Sequence, residues 1–383
     1  MTKKTTHRKK YINSETVLFL AFELGAKEWK LGFSTGLGQK ARRRGMRAGD
    51  LEKLQKEITA AKKRFGLEAE TTVKSCYEAG RDGFWLHRYL SQARIENVIV
   101  DSSSIEVNRR ARRAKSDRLD AEKLLQMLMR YHLGDERVWK VVQAPTVEEE
   151  DRRLLHREIR TLKKEKTRAI NRMKGLLATQ GLRLKRPLKS MQAELERMRL
   201  WDGSPLPAGL QSRVQREWEQ VEFWEGRIRT LESERRAVLR AGRDVDVEKI
   251  RQLEQLRAIG RQGAWVLVRE FFGWRKFKNR REVGALAGLT PTPYQSGDSH
   301  QEQGISKAGN RHVRAVAVEL AWAWLRYQPQ SRLTQWYQQR FEQGGPRARK
   351  VGIVAVARRL LIELWRYLET GVLPEGAELK PVC

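Results

Sequence analysis

Short apolar runs separated by amphipathic segments fill the first part of the chain. The runs ETVLFLAFELG and KEWKLGFS have the length of two strands joined by a short turn. In DLEKLQKEITAAKKRFG, the apolar residues Leu51, Leu54, Ile58 and Ala61 recur at helical spacing. A strand (TTVKSCYEAG), a helix (DGFWLHRYLSQA), a strand (ENVIVDSS) and an amphipathic helix (SDRLDAEKLLQMLMRYHLG) follow. This alternation predicts an α/β domain over residues 1–145.

The pattern changes to a heptad-like repeat in the middle of the chain, residues 146–245. A seam at spacings of four and three is formed by Leu155, Ile159, Leu162, Lys166, Ala169, Met173 and Leu176. A break containing KRPLKS and WDGSPLPAGL interrupts the helix, which resumes in VQREWEQVEFWEGRIRTLESERRAVL. We predict an antiparallel coiled-coil arm. Its charged faces fit solvent exposure and a dimer contact equally well, so that choice stays open.

The last part, residues 246–383, predicts an all-α domain. The segment RQLEQLRAIGRQGAWVLVREFFG reads as a helix, a turn at Gly260–Gly263 and a second helix. This resembles a helix-hairpin-helix, whose glycines let the turn approach a phosphate, although a plain helical corner needs similar glycines. Two further helices are predicted in VRAVAVELAWAWLRY and VGIVAVARRLLIELWRYLETG. Between them and the preceding helices, PTPYQSGDSHQEQGISKAGNRHVR reads as a loop.

Charge narrows the class of partner. The chain of 383 residues has 78 Lys and Arg against 47 Asp and Glu, a net charge of +31. Such an excess favours nucleic acid as the partner. Two cysteines exclude a disulfide framework or a zinc cluster. No apolar run reaches the roughly 20 residues of a membrane span. We therefore expect a cytoplasmic, DNA-associated protein with no membrane partner.

Four carboxylates are candidates for a metal site. Glu23 lies in the first predicted strand and Glu78 at the end of a later one, while Asp117 and Asp120 are spaced i, i+3 near a helix start. Carboxylates gathered at strand ends and on a nearby helix suit Mg²⁺, which prefers oxygen ligands. In the competing interpretation Asp117 caps its helix and Asp120 interacts with the helix dipole.

A basic run leads directly into the second pair of acids. It consists of Arg109, Arg110, Arg112, Arg113 and Lys115. A helix cap does not account for this run. Cations beside an acidic pair fit a site that holds a polyanion against metal ions.

A second candidate is Ser296, in the glycine-bearing loop. Its hydroxyl would need a base or a metal to become a nucleophile, and His300 is a local candidate for the base. The residues expected to hold a phosphate are Lys307, Asn310 and Arg311, with His312 beside them. Taken alone, Ser-Gly in a loop is more often a turn.

Taken together, the motifs resemble the DEDD transposases of bacterial insertion sequences, the recombinases guided by a bridge RNA. The matching segments occur in the family's order and span nearly the whole chain. They are LAFELG, CYEAGRDGFWLHRYL, RRAKSDRLDAEKL, LRAIGRQGAWVLVREFF, ALAGLTPTPYQSGDSHQEQGISKAGNRHVR and RKVGIVAVARRLLIELWRYLETG.

The resemblance implies a resolvase-like ribonuclease H domain, a coiled coil and a helical transposase domain. It makes Glu23, Glu78, Asp117 and Asp120 the Mg²⁺-binding tetrad, and Ser296 the nucleophile that forms a phosphoserine link to DNA. It also implies donor and target DNA, a structured noncoding guide (bridge) RNA that pairs with both, and a homo-oligomer, a dimer assembling to a tetramer. The acids would then come from another subunit.

One departure from the family pattern affects the first acid. The family usually carries Asp where this chain has Glu23, whose carboxylate reaches about 1.5 Å farther from the strand. We hypothesise that Asp101, at the end of a predicted strand, helps at the metal site. Two other functions stay open: a metal-dependent nuclease or junction resolvase without serine chemistry, and a catalytically weak RNA- and DNA-binding scaffold.

Overall fold

A computed structural model describes residues 16–80, 83–105, 117–184, 191–244, 246–296 and 299–381, leaving out the side chains of 117–120, 293–296 and 299–303. The chain divides into two compact units, residues 1–145 and 146–383. Each unit is described by itself below.

The first unit is built on a five-stranded sheet. Its strands are β1 (Leu18–Leu24), β2 (Glu28–Ser34), β3 (Arg42–Arg47), β4 (Val73–Glu78) and β5 (Glu96–Val100). The strand order is β3-β2-β1-β4-β5. The first three strands form an antiparallel meander, whereas β4 and β5 join β1 in parallel. Parallel pairing requires crossovers, and the intervening helices provide them.

Helices cover both faces of this sheet. They are α1 (Leu51–Arg64), α2 (Trp85–Gln92) and α3 (Asp117–His132). One core lies on the face that contacts α1 and α2 and contains Leu20 and Phe22, and the other lies under α3 and contains Phe19 and Ala21. Because β1 is buried on both faces, its sequence is a continuous apolar run rather than an alternating one. The predicted α/β character of this region is confirmed.

The second unit begins with a helical hairpin formed by two long helices, α5 (Leu154–Ala178) and α7 (Ala208–Ala241). The short helix α4 (Val147–Asp151) precedes it, and α6 (Met191–Arg197) lies between the two long helices. Helices α5 and α7 are antiparallel, as shown by the ion pairs Lys163–Glu232 at 2.8 Å and Arg172–Glu217 at 2.7 Å. Of the predicted seam, Ile159, Leu162, Ala169 and Met173 are buried.

The remaining elements form a largely helical core, as predicted. They are α8 (Val247–Gln255), α9 (Arg261–Leu267), α10 (Arg280–Leu286), β6 (Pro291–Ser296), β7 (Ser299–Ile305), α11 (Arg311–Tyr327), α12 (Arg332–Tyr337) and α13 (Pro346–Thr370). Helix α9 continues into a π-helical turn, Val268–Phe272. Trp265, Phe271 and Trp324 are buried at the centre. Among the helices described, none has the length and apolarity needed to cross a membrane.

Two predictions about this region need correction. The segment after α10, predicted as a loop in an all-α domain, contains the antiparallel hairpin β6–β7. The predicted Gly260–Gly263 turn is also misplaced, because Gly260 caps α9 and Gly263 lies inside it. A Cβ at Gly263 would approach Leu320 to 3.0 Å, so this glycine serves helix packing rather than a turn.

A buried ion triad fixes the start of α8 against the π-helical turn. Arg269, which is 2% exposed, contacts Asp244 at 2.5 Å and Asp246 at 3.1 Å. Its guanidinium also lies 4.7 Å from the Trp265 ring centroid. Asp246 is buried and needs this cation, whereas the half-buried Asp244 also contacts Arg152 at 3.7 Å.

We predict that Arg269→Met destabilises the second unit by about 3–5 kcal/mol, because it leaves the buried Asp246 without its cation. The half-buried Asp244 would keep its longer contact with Arg152, at 3.7 Å. Chemical denaturation would measure the change. The matched control is Arg366→Met at the exposed Arg366–Glu363 pair, expected to change stability by at most about 1 kcal/mol. Equal losses in the two variants would contradict a structural role for the triad.

Candidate functional site

In the first unit, two of the predicted acids lie side by side on parallel strands. Phe22 of β1 pairs in register with Tyr77 of β4, so the next positions, Glu23 and Glu78, are level with each other. Phe22 and Tyr77 face the core under α1 and α2. Because side chains alternate along a strand, Glu23 and Glu78 lie on the α3 face at the carboxyl ends of their strands.

Helix α3 runs antiparallel to β1 across this face. A Cβ at Gly32, which pairs with Ala21, would lie 3.6 Å from the carbonyl oxygen of Ala121 near the start of α3. At the other end, the His132 ring is 6.0 Å from the ring of Phe19. The N-terminus of α3 therefore comes to the carboxyl ends of the strands.

This topology brings the backbone positions of all four predicted acids to one sheet edge. Position 117 precedes Ala121 by four residues, about 6 Å along the helix axis. Glu23 follows Ala21 by two residues, about 6.6 Å along the strand in the same direction. The side chains of positions 117 and 120 are outside the description. Among the side chains that are described, no group of three or more His, Cys, Asp or Glu could hold a metal ion.

Asp101 has a structural use at the same edge. It follows β5 and caps the short helix Ser102–Ser104, accepting hydrogen bonds from the Ser103 backbone N–H at 2.9 Å and the Ser103 hydroxyl at 2.8 Å. A role as an additional metal ligand would compete with this cap. The basic run 109–115 lies outside the described residues.

In the second unit, Ser296 ends the strand β6. It pairs with Ser299, the first residue of β7, so only residues 297–298 separate the two strands. Two-residue connections are typical of tight β-hairpins. The predicted nucleophile therefore lies at a hairpin tip rather than in an irregular loop. The suggested base, His300, pairs in register with Gln295 on the neighbouring strand.

Backbone hydrogen bonds fasten the base of this hairpin to the end of α10. The Ser306 N–H donates to Thr290 O at 2.8 Å, and the Lys307 N–H donates to Gly288 O at 3.2 Å. Gly288 has a φ of +69°, and a Cβ there would clash with the Ala308 carbonyl oxygen, which would lie 2.4 Å away. Only glycine fits this close contact.

Asn310 joins the hairpin base to the buried core. Its side-chain oxygen accepts from the backbone N–H groups of His312 and Val313, and so caps α11. Its amide nitrogen donates to Glu270 at 2.8 Å. Because both ends of the side chain are engaged, we assign Asn310 to positioning rather than to holding a phosphate. Lys307 and Arg311, the other predicted phosphate contacts, are exposed.

Glu270 is the centre of this arrangement. It is 0% exposed and lies in the π-helical turn, a distortion that often marks functional sites. Its carboxylate accepts from His156 Nε2 at 2.8 Å, from Arg157 Nε at 2.7 Å and from Asn310. Burial alone would raise the pKa of Glu270, but the hydrogen bonds from His156 and Arg157 outweigh it and hold the pKa well below its usual range.

His312, beside this carboxylate, is held neutral. Its Nδ1 lies 2.6 Å from the Arg160 guanidinium, so Nδ1 accepts the hydrogen bond. Burial, together with the nearby Arg160 and Arg157 charges, lowers the pKa of His312 to about 4 despite the opposing charge of Glu270. At neutral pH this histidine bridges α5 and α11 as an uncharged acceptor.

Sequence reasoning did not single out Glu270, His156 or Arg157. The only local signal for the network is the charged pair Arg269 and Glu270 in the otherwise apolar stretch WVLVREFF. Charges at core positions of a helix are rarely buried unless they are paired. The partners on α5 are more than a hundred residues away, so the pattern indicates a need for partners without identifying them.

Comparison with known proteins gives a consistent family. A model described as "Transposase IS116/IS110/IS902 family" matches residues 250–335, which include Glu270, Ser296 and Asn310. A Sinorhizobium fredii protein named "Putative transposase y4rJ" is 41% identical over 377 residues, covering 95% of this chain and 94% of that protein. "Transposase for insertion sequence element IS1111A" of Coxiella burnetii is 26% identical over 213 residues, covering 56% of each chain.

We predict that His312 contributes to acid destabilisation of the second unit. The unfolded chain takes up a proton near pH 6.5, whereas the folded state takes it up only near pH 4. Between these values the unfolded state binds more protons, so stability falls as pH falls. His312→Gln should therefore lose less stability than the wild type between pH 6.5 and 5, measured by chemical unfolding.

An NMR titration of the His312 ring gives an independent check. A midpoint near 6.5 would contradict the neutral bridge.

Proposed function

The chain belongs to the IS116/IS110/IS902 family of transposases, and from this membership we propose that it breaks and rejoins DNA strands through a covalent link to Ser296. The observation that carries the proposal is the position of Ser296 at a hairpin tip whose base is fixed by backbone bonds. A nucleophile needs rigid positioning, which the fixed hairpin base would supply.

The chemistry proposed for the serine is a transesterification. The Ser296 hydroxyl oxygen attacks phosphorus, one bridging P–O bond of the DNA breaks, and a phosphoserine ester forms. The serine proton is lost and the departing DNA oxygen gains one. Attack by a free DNA hydroxyl on the ester then reseals a strand and regenerates the serine. The bond energy of the phosphodiester is conserved, so no nucleotide cofactor is needed. We propose that Lys307 and Arg311 contact backbone phosphates near the hairpin base, away from the phosphate that is attacked at the tip.

We propose that Glu23, Glu78, Asp117 and Asp120 hold Mg²⁺. The arrangement of the first unit fits this group, because Glu23 and Glu78 are level on one face and α3 starts at the same edge. When bound, such ions polarise a phosphodiester and stabilise its developing charge. Glu23 replaces the family's usual Asp, and its longer side chain would place its oxygens farther from β1. The proposal requires the two units, from one subunit or from two, to act on the same phosphate.

We also propose a structured noncoding RNA as the guide. A net charge of +31 suits a protein that binds two kinds of polyanion. Base pairing between this RNA and the donor and target DNA would supply the sequence specificity, while the protein contacts the RNA and DNA backbones. A homo-oligomer, a dimer assembling to a tetramer, would bring donor and target strands together.

Ser296→Ala should abolish the covalent protein–DNA adduct and slow strand exchange by roughly a thousandfold or more. The assay uses labelled insertion-sequence ends together with RNA transcribed from the DNA flanking the gene, and denaturing gels detect the adduct. Ser299→Ala, at the paired position on β7, is the matched control and should retain the adduct. If Ser296→Ala cleaves DNA at the full rate, serine chemistry is wrong and a metal-dependent nuclease is favoured.

Glu78→Gln should reduce Mg²⁺-dependent cleavage by at least about a hundredfold, because several kcal/mol of transition-state stabilisation are lost. DNA binding in EDTA should be unchanged. The control is Glu96→Gln, an exposed acid at the opposite end of a neighbouring strand in the same sheet. Equal cleavage by the two variants would exclude Glu78 from the metal site.

A further inference from the structure

A large groove lies beside the serine hairpin in the second unit. It has a volume of about 1170 Å³ and is bounded by α10, α12, α13 and the π-helical turn Gln338–Glu342. Pro291, Gly304 and Ile305, at the base of the hairpin, form part of its wall. The groove and the strand that ends at Ser296 are therefore continuous.

The lining of this groove is strongly cationic. Nine Lys and Arg side chains line it against two carboxylates, and each carboxylate is already paired with one of the arginines. The cations on which the proposal depends include Arg280, Arg340, Arg347, Lys350, Arg358 and Arg359. None of these six has a carboxylate partner among the described residues. A binding partner would have to bring several negative charges.

The crowding of these cations is visible in individual contacts. The Arg359 guanidinium lies 3.6 Å from the centroid of the Trp336 ring, which forms part of the wall. Burial and the charges of Arg340, Arg332 and Arg358 lower the pKa of Arg359. The half-buried Arg358 has a buried Nε with no hydrogen-bond partner among the described residues. Donors and charge are present in excess, as expected for a polyanion site.

The length of β6 fixes the spacing between the groove and the serine. Pro291 lines the groove and Ser296 ends the strand five residues later, a separation of about 17 Å at about 3.4 Å per residue. Neighbouring phosphates of one DNA strand are about 6 to 7 Å apart through space, about twice the 3.4 Å rise along the axis, because the backbone winds around the helix. A strand that follows the hairpin from the tip therefore reaches the groove after about three nucleotides.

We propose that the groove holds the backbone of the DNA strand attacked by Ser296, at phosphates about three nucleotides from the attacked one. The spacing rests on the proposed function of Ser296, whereas the groove's affinity for a phosphodiester backbone does not. DNA is favoured over RNA because the hairpin forms one wall of the groove, so the strand presented to the tip must pass it. Such contacts set the register of the strand and carry no sequence information.

The first test measures duplex DNA binding against salt concentration, in EDTA and without RNA. The variant Arg340→Gln/Arg347→Gln/Lys350→Gln changes exposed side chains and should fold normally, which thermal denaturation verifies. Each lost phosphate contact lowers the slope of log K against log salt by about 0.9, so the slope should fall by roughly two to three. The control Lys164→Gln/Lys174→Gln/Arg229→Gln removes equal charge from the helical hairpin and should change the slope less.

An unchanged slope in the groove variant, or a change equal to that of the control, would overturn the proposal whatever Ser296 does. The same titration with the guide RNA in place of DNA distinguishes the polymers. A slope that falls for RNA but not for DNA would likewise overturn it, in favour of an RNA site.

The second test places single methylphosphonates along the cleaved strand and measures binding affinity. Affinity should fall for substitutions about three nucleotides from the cleaved phosphate, and this effect should disappear in the groove variant. If the methylphosphonates still lower the affinity of the groove variant, these phosphates do not bind in the groove. Adduct trapping at low salt then separates the groove hypothesis from the serine hypothesis. The groove variant should still form the Ser296 adduct, because losing backbone contacts leaves the nucleophile in place.

Discussion

The buried carboxylate of Glu270 is the interaction on which the second unit depends. A charge removed from water is unfavourable by several kcal/mol unless cations and hydrogen-bond donors surround it. Here the donors come from α5 and from the residue that caps α11, so a single carboxylate determines where three segments meet. Asn310 transmits this constraint to the residues that close the base of the hairpin. The tip that carries Ser296 is thereby held by a rigid base, although the tip itself is a two-residue connection.

In the first unit, the same requirement for fixed geometry is met by sheet topology. Parallel strands end at a common edge, and α3 runs back from that edge across the sheet, so Glu23, Glu78 and the first turn of α3 converge without any loop having to fold precisely. Acids on a sheet edge and a serine on a hairpin are complementary parts of the proposed strand exchange. The cationic groove adds a third part, because a strand must be held on both sides of the bond that breaks.

Much of the architecture could be predicted because apolar periodicity is local. The buried strands β1 and β4, helix α3 and the helical hairpin follow from it. Strand β3 was missed because four of the six residues in RRRGMR are arginines. The strand is stabilised by Arg42, whose guanidinium contacts the buried Glu57 at 2.6 Å. The β6–β7 hairpin was missed because two prolines and polar residues indicate a loop, although prolines are tolerated in edge strands. The Glu270 network and the groove join residues far apart in sequence, which no local pattern reveals.

The central claim is that Ser296 is the residue that becomes joined to DNA. Mass spectrometry of a protease digest of the trapped wild-type complex would localise the linkage directly. We predict a nucleotide attached to the peptide that contains the hairpin tip, with fragmentation assigning it to Ser296. A nucleotide on Ser299 or Ser306, or cleavage of the DNA without any attached nucleotide, would contradict it.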